Sequence, residues 1–390
     1  MNFKRLTAMA MAVATAFSVN AFAADKTVSN INTAQTSKTT DGKTAKTVTY
    51  DEAVKLAIKN TSSIATIDEA MDYMENSKEA ISTNLSGYYP YSGTSQTVET
   101  AIGTLLSSIG TIDGNSKAYR YQKQMLEETA ELMVKNYFDT IKTSENALAL
   151  AKDSLRLKQD EYSQLVLKNK LGMISNNDLK NASNALTKMK ENVKMAELAI
   201  DSVYSSLGNT IGLKAGTDFD IDYTLEYKPF EMEIGLDSYI TQKSSTDPSV
   251  QVAKANLETA EFQKKVSTYE TEPYSYQQKD NAVNSADRTW GDTVKNLKTA
   301  ISNAYNSIGQ LESNRTALEA ALADAKTTYA TAQTNYQVGN ITKLQLEQAE
   351  LAVKSAENDL LSNASSHDLL VFQFEHPYML SNSNSSSSQQ

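Results

Sequence analysis

The 390-residue chain carries 37 basic and 47 acidic residues, a formal net charge of −10, two histidines and no cysteine. An acidic balance of this kind argues against a nucleic-acid partner. Without Cys there are no disulfides, no thiolate chemistry and no lipid-bearing cysteine, and His367 and His376 alone are a poor basis for a metal site or a Ser-His-Asp triad, so neither cofactor nor metal is expected.

In chain order, Lys4 and Arg5 precede an apolar run that ends near Val19 and is followed by Ala21-Phe22-Ala23. This predicts a secretory signal peptide over residues 1–23, since the run is short for a membrane anchor. Residues 24–46 are polar and read as disordered. Thereafter no apolar run approaches the roughly 20 residues of a membrane helix.

The helix breakers are few and clustered. The prolines are Pro90, Pro229, Pro248, Pro273 and Pro377; Gly172 is the only glycine between Asn115 and Ser206, and Gly339 the only one after Gln310. Proline costs a helix interior about 3 kcal/mol, so the long stretches without it permit very long helices. Leu179, Ala182, Leu186, Met189, Val193, Ala196, Ile200, Val203 and Leu207 step 3-4-3-4. The same ruler laid from Leu346 to Phe374 meets two polar breaks, Asn363 and His367. Heptad spacing also joins Ile141, Leu148, Leu155 and Tyr162, and runs from Leu297 to Ala332. A sustained 3.5-residue period predicts coiled-coil seams. Residues 119–171 should form one helix, antiparallel to residues 176–206.

The two solitary glycines lie in matching segments, residues 171–182 (LGMISNNDLKNA) and 338–349 (VGNITKLQLEQA). In each, the glycine suits a left-handed helix end. Ser175 and Thr342 are then N-caps, with Asp178 and Gln345 completing capping boxes, and Ile174/Leu179 and Ile341/Leu346 forming hydrophobic staples. Both segments are predicted helix reversals. Residues 51–64 further resemble residues 237–250. The chain therefore reads as an all-α tandem duplication of long antiparallel hairpins: a first repeat over 47–213, a linker over 214–234 and a second repeat over 235–377. Alternation of Phe219, Ile221, Tyr223, Leu225 and Tyr227 predicts a short strand in the linker. The tail, 378–390, reads as disordered.

A chain with two such hairpins, the two tip segments and the DEAVKLAIKN opening resembles the TolC-type outer-membrane efflux protein family over residues 47–377. The resemblance implies an α-barrel: a homotrimeric hollow helical tunnel in the cell envelope, at the outer membrane or in the periplasm. Its tips would close like an iris and meet a periplasmic adaptor protein of an inner-membrane pump. It assigns adaptor contact to Leu171, Gly172, Met173, Val338, Gly339 and Asn340, and gate closure to Asp178 and Tyr336. The family's arginine partner falls on Ile341, so that ionic link is missing. The entrance-ring positions fall on Gln345 and Gln348, leaving Glu347 as the nearby acid. Read from the residues alone, Asp178 is a capping carboxylate and Tyr336 a seam aromatic, and the two roles are compatible. The family's transmembrane strands would fall within 85–118 and 267–286, which are Gly/Ser-rich or polar, so those strands are expected to be reduced or missing and replaced by loops. Implied function is efflux or secretion without enzymatic activity; the competing reading is a structural or adhesive coiled-coil spacer of the envelope.

Overall fold

The computed structural model describes residues 46–267 and 275–383. The signal peptide and most of the N-terminal segment and tail expected from sequence lie outside the described residues. Strand β1 (Lys46–Thr49) leads into α1 (Tyr50–Asn60), α2 (Ser62–Tyr88), a 3-10 turn (Tyr89–Tyr91), α3 (Gln96–Lys170) and α4 (Asn176–Thr210). Strand β2 (Phe219–Asp222) follows, then α5 (Leu236–Thr246), α6 (Pro248–Val266), α7 (Ser275–Gln337), α8 (Lys343–Glu375) and α9 (Tyr378–Ser383). At 75 and 63 residues, α3 and α7 are about 110 and 95 Å long at 1.5 Å per residue. The architecture is the expected all-α arrangement with a strand-bearing linker.

Two compact units are present. One takes in Ala70–Tyr119 and Lys254–Arg288; the other takes in Thr47–Glu69, Arg120–Ala253 and the chain from Thr289 onward.

In the second of these units, the first hairpin pairs α3 with α4 in antiparallel register, as Tyr204 to Glu145 (3.1 Å) and Lys152 to Glu197 (2.8 Å) require. Val193, Ile200 and Leu207 of the predicted heptad are buried, while the positions nearer the reversal are half-buried. One core gathers Val48, Ala53, Ala57, Val134, Phe138, Ile141, Leu207 and Ile221. The other gathers Val250, Leu297, Ile301, Ile308 and Phe374, with Phe374 stacked on Tyr239 at 4.8 Å. The polar breaks in the second seam make specific contacts. Asn363 donates to the Leu311 carbonyl at 3.1 Å, and the buried His367 lies against the Tyr227 ring and 3.4 Å from Glu312.

Three expectations need correction. Much of the Gly/Ser-rich stretch within 85–118 is helix, broken only at residues 89–95. Two of its glycines, Gly110 and Gly114, are points of close approach. A Cβ on Gly110 would lie 2.1 Å from the Phe262 ring, and one on Gly114 would lie 1.7 Å from the Thr259 hydroxyl. Gln263 of α6 reinforces the contact by donating to the Ser107 carbonyl (2.8 Å) and the Thr111 hydroxyl (2.6 Å). Similarly, within 267–286, α7 is helical from Ser275; residues 268–274 lie outside the described residues.

The start of the supposed disordered tail is also ordered. Tyr378 is 2% exposed, donating its amide to Asp247 (3.2 Å) and its hydroxyl to the Met125 carbonyl (2.9 Å), and it opens helix α9. Finally, the linker strand stops at Asp222 and pairs with β1. The next alternating aromatics turn onto helices instead. Tyr223 donates to Asp139 at 2.7 Å, and Tyr227 takes the Arg315 guanidinium over its ring at 3.7 Å.

Asp139 is a carboxylate with no exposure, bonded by Tyr223 and, at 3.5 Å, by Ser365. Burial pushes it up to about 6, against the hydrogen bond from Tyr223; the nearby Asp368 raises it further and Lys135 opposes. Because the folded-state value is raised, the fold favours the neutral acid. Stability should therefore fall as pH rises from the unfolded value near 4 through about 6, by on the order of 2 kcal/mol. Asp139→Asn retains an acceptor for Tyr223 and should flatten this slope; thermal melts of both proteins at several pH values measure it, and parallel pH profiles would contradict it. The glycine contacts give a second test. Gly110→Ala should destabilise by about 1–3 kcal/mol through overpacking, whereas Gly291→Ala, which meets no neighbour within 4 Å, should stabilise by about 0.5–1 kcal/mol. Denaturant titration separates the two, and equal gains would contradict the packing role.

Candidate functional site: the hairpin tips

Both long hairpins reverse through the same chemistry. At the end of α3, Gly172 has φ 73°, its amide bonds the Asn169 carbonyl (2.9 Å) and the Met173 amide bonds the Lys168 carbonyl (2.8 Å). At the end of α7, Gly339 has φ 76°, with Gly339 to Tyr336 at 3.0 Å and Asn340 to Asn335 at 2.8 Å. These paired bonds are Schellman closures, and the positive φ is why glycine stands there. The next helix is capped at once. Ser175 Oγ accepts from the Asp178 amide (3.1 Å), and Asp178 Oδ2 accepts from the Ser175 amide (3.2 Å). Thr342 Oγ1 accepts from the Gln345 amide (3.3 Å), and Gln345 Oε1 accepts from the Thr342 amide (2.8 Å). Orphan amides of the new helix are satisfied within four residues of the turn. Asn169 adds a brace absent from the second tip's sequence, donating to the Ile174 carbonyl (3.1 Å) and to Asn176 (3.0 Å).

The side chains assigned by resemblance fall into three groups. Leu171, Met173 and Val338 stand 70%, 67% and 64% exposed, with Gly172, Gly339 and Asn340 exposed beside them. These apolar side chains are held out on rigid reversals. Asp178 and Gln345 are committed to their capping boxes, while Tyr336 is 42% exposed and makes no bond to Asp178 within the chain. Gln345 also borders a shallow groove with Thr327, Thr331, Asn335, Ile341 and Ala349. Gln348 is exposed.

Glu347 differs from its neighbours. Its side chain is 11% exposed and binds Arg156 of the first hairpin at 3.1 Å, with Lys343 at 3.4 Å. The Arg156 guanidinium holds its carboxyl below the usual carboxylate range. Two turns along α8, Lys354 binds Asp153 at 2.6 Å. Further along, Lys135 meets Asp368 (2.5 Å) and Asp139 meets Ser365. Together these contacts lay α3 antiparallel to α8, so the two hairpins are latched near their tips by charge. Sequence reasoning missed Arg156, Asp153 and Lys354. The only signal for them was charge on the flanks of heptad seams, which is common to solvated faces. Among the described residues no cluster of three metal-ligating side chains exists, and no described helix is long and apolar enough to cross a membrane.

Because Arg156 is half exposed, Arg156→Gln should cost no more than about 1 kcal/mol at neutral pH. Glu347's folded-state value is depressed, so the pair contributes above the unfolded carboxylate value and its contribution is lost as pH falls through the folded one. The difference between wild type and variant in thermal melts should close as pH falls below the usual carboxylate range. A penalty that persists there would assign the effect to packing of the arginine stem.

No protein-family model and no curated protein matches the sequence. Solved structures do match. The Campylobacter jejuni CmeC outer membrane channel is similar at a TM-score of 0.64 and 12% identity, covering 86% of this chain and 88% of that one. The outer membrane protein VceC of Vibrio cholerae is similar at 0.61 and 10% identity, covering 85% and 96%. The open state of the Neisseria gonorrhoeae MtrE outer membrane channel gives 0.59 and 14%, covering 85% and 88%. The chain shares the fold of these channels over most of its length.

Proposed function

We propose that this chain is the subunit of a TolC-like export conduit, a non-enzymatic helical tunnel of the cell envelope. The observation that carries the reading is the pair of long hairpins closed by the same Schellman-and-capping-box reversal, in a fold shared with solved outer membrane channels. Half-buried seam positions along α4, α7 and α8 support an assembly in which further copies cover them. A protomer with seams on both flanks closes by cyclic symmetry, and the resemblance makes the ring a homotrimer. Leu171, Met173 and Val338 would then dock the periplasmic adaptor, which joins the tunnel to an inner-membrane pump.

In this reading the gate has two parts. Asp178 of one hairpin meets Tyr336 of a neighbouring one, Asp178 using the lone pairs its capping box leaves free. The Arg156–Glu347 and Asp153–Lys354 pairs hold the two repeats of one protomer together. Glu347 is thereby withdrawn from the entrance, leaving Gln345 and Gln348 as a neutral ring. The gate should be weaker than one with an arginine at the position of Ile341, which offers no charge-assisted bond.

The mature protein should sediment as one oligomer in detergent; a monodisperse monomer at high concentration would overturn the conduit. Asp178→Asn and Tyr336→Phe should each raise the closed-state conductance of single channels. Their double mutant should be less than additive, because both remove one contact. Unchanged conductance with small additive stability losses would leave Asp178 as a cap and Tyr336 as packing.

A further inference from the structure

The linker after β2 crosses both hairpins, and its fastenings differ in kind. Before Tyr223 the chain is held by β2, which pairs with β1 and buries Ile221. After it, Tyr227 lies against the His367 ring and under the Arg315 guanidinium, and the Phe230 amide donates to Glu312 at 2.9 Å. Between these two anchors, Tyr223 fastens the bridge of residues 223–226 to α3.

Tyr223 closes over a carboxylate. Its hydroxyl donates to one oxygen of the buried Asp139 at 2.7 Å, and its ring packs edge-on against Phe138 (5.4 Å) and stacks with Tyr50 (6.1 Å). From α8, Ser365 reaches the other oxygen at 3.5 Å. The charged groups around the site are Lys135, one turn earlier on α3, and Asp368 on α8, themselves paired at 2.5 Å; Tyr50 of α1 bonds Glu131 of α3 at 3.3 Å. Burial holds the Tyr50 and Tyr223 phenols above their ordinary value, so neither loses its proton near neutral pH. The carboxyl is the group that titrates there. Burial pushes Asp139 up to about 6 and Asp368 adds to this, while the bonds from Tyr223 and Ser365 and the charge of Lys135 oppose without cancelling it.

We propose that the Tyr223–Asp139 contact is a pH-operated clasp on the linker, shut while Asp139 is neutral and lifted when it ionises. A buried carboxylate gains by reaching water once it is charged, and here the cover that must move is one side chain on a four-residue bridge between anchors. The phenol bond itself favours the charged form, so hydration of the carboxylate drives the lifting against that bond. Because the folded-state value is raised, the shut state holds fully below the solvated value near 4 and weakens as pH rises through about 6. With Asp139 hydrated in the lifted state, the ratio of lifted to shut linker rises about tenfold from about pH 5 to about pH 7.5. The clasp lies within one chain and needs no neighbouring copy, so it and the conduit reading fail separately.

A chain without cysteine accepts a nitroxide label at a single introduced thiol. On Thr224→Cys, exposed beside the clasp, the ratio of mobile to immobile spectral components should rise about tenfold between about pH 5 and about pH 7.5. The same label on Asn146→Cys, exposed on α3 about two turns from Asp139, should not change. Asp139→Asn keeps an acceptor for Tyr223 and should leave the Thr224 label immobile at both pH values. Tyr223→Ala removes the cover and should leave it mobile at both. Four results would each overturn the clasp: no pH step at Thr224, a step that survives Asp139→Asn, an immobile label in Tyr223→Ala, or an equal step at Asn146. The last would assign the effect to loosening of the whole unit.

Discussion

Long antiparallel helices depend on what happens where they turn. A helix leaves four amides and four carbonyls without partners at its ends, and a tight reversal brings both sets into a few residues. Here Gly172 and Gly339 take the left-handed conformation, two Schellman bonds close the outgoing helix and a capping box opens the returning one. With the turn fixed, the register of everything behind it follows. Val193, Ile200 and Leu207 come to face the inward side of α3, and Lys152 comes opposite Glu197.

The seams thus set are only partly covered within the chain. Burial is complete in the two cores near β1, β2 and Phe374, and becomes partial along the hairpins toward their tips. Over those distal turns the two hairpins are held to one another by ion pairs with at least one well-exposed partner, each worth little in water. A protein whose tips are joined by weak, charged contacts and whose cores lie elsewhere can loosen the tips without unfolding. That distribution of stability is what the gate proposed above requires.

Polar residues inside the fold mark its other junctions. Asp139 receives Tyr223 from the linker and Ser365 from α8, so one buried carboxylate ties three segments at a cost in desolvation. Asp247 serves a similar purpose where α5 meets α6, accepting from Ser249 and from the amide of Tyr378. Each junction joins parts of the chain that are distant in sequence, and the bonds specify one arrangement where apolar packing alone would tolerate several.

The sequence by itself determined the reversals, the caps and the heptad faces, because each depends on residues within about four positions of one another or on a period along one helix. It misread Gly110 and Gly114 as loop residues, since only the approach of Phe262 and Thr259 from α6 shows why a side chain is excluded there. It placed Tyr378 in a disordered tail because its partners, Asp247 and Met125, are 131 and 253 residues away. It could not show that Arg156, 191 residues before Glu347, lies within a hydrogen bond of it. Local backbone chemistry is written in neighbouring residues. Which helix faces lie side by side is decided by burial summed over the whole molecule, and that sum was settled only by the tertiary structure.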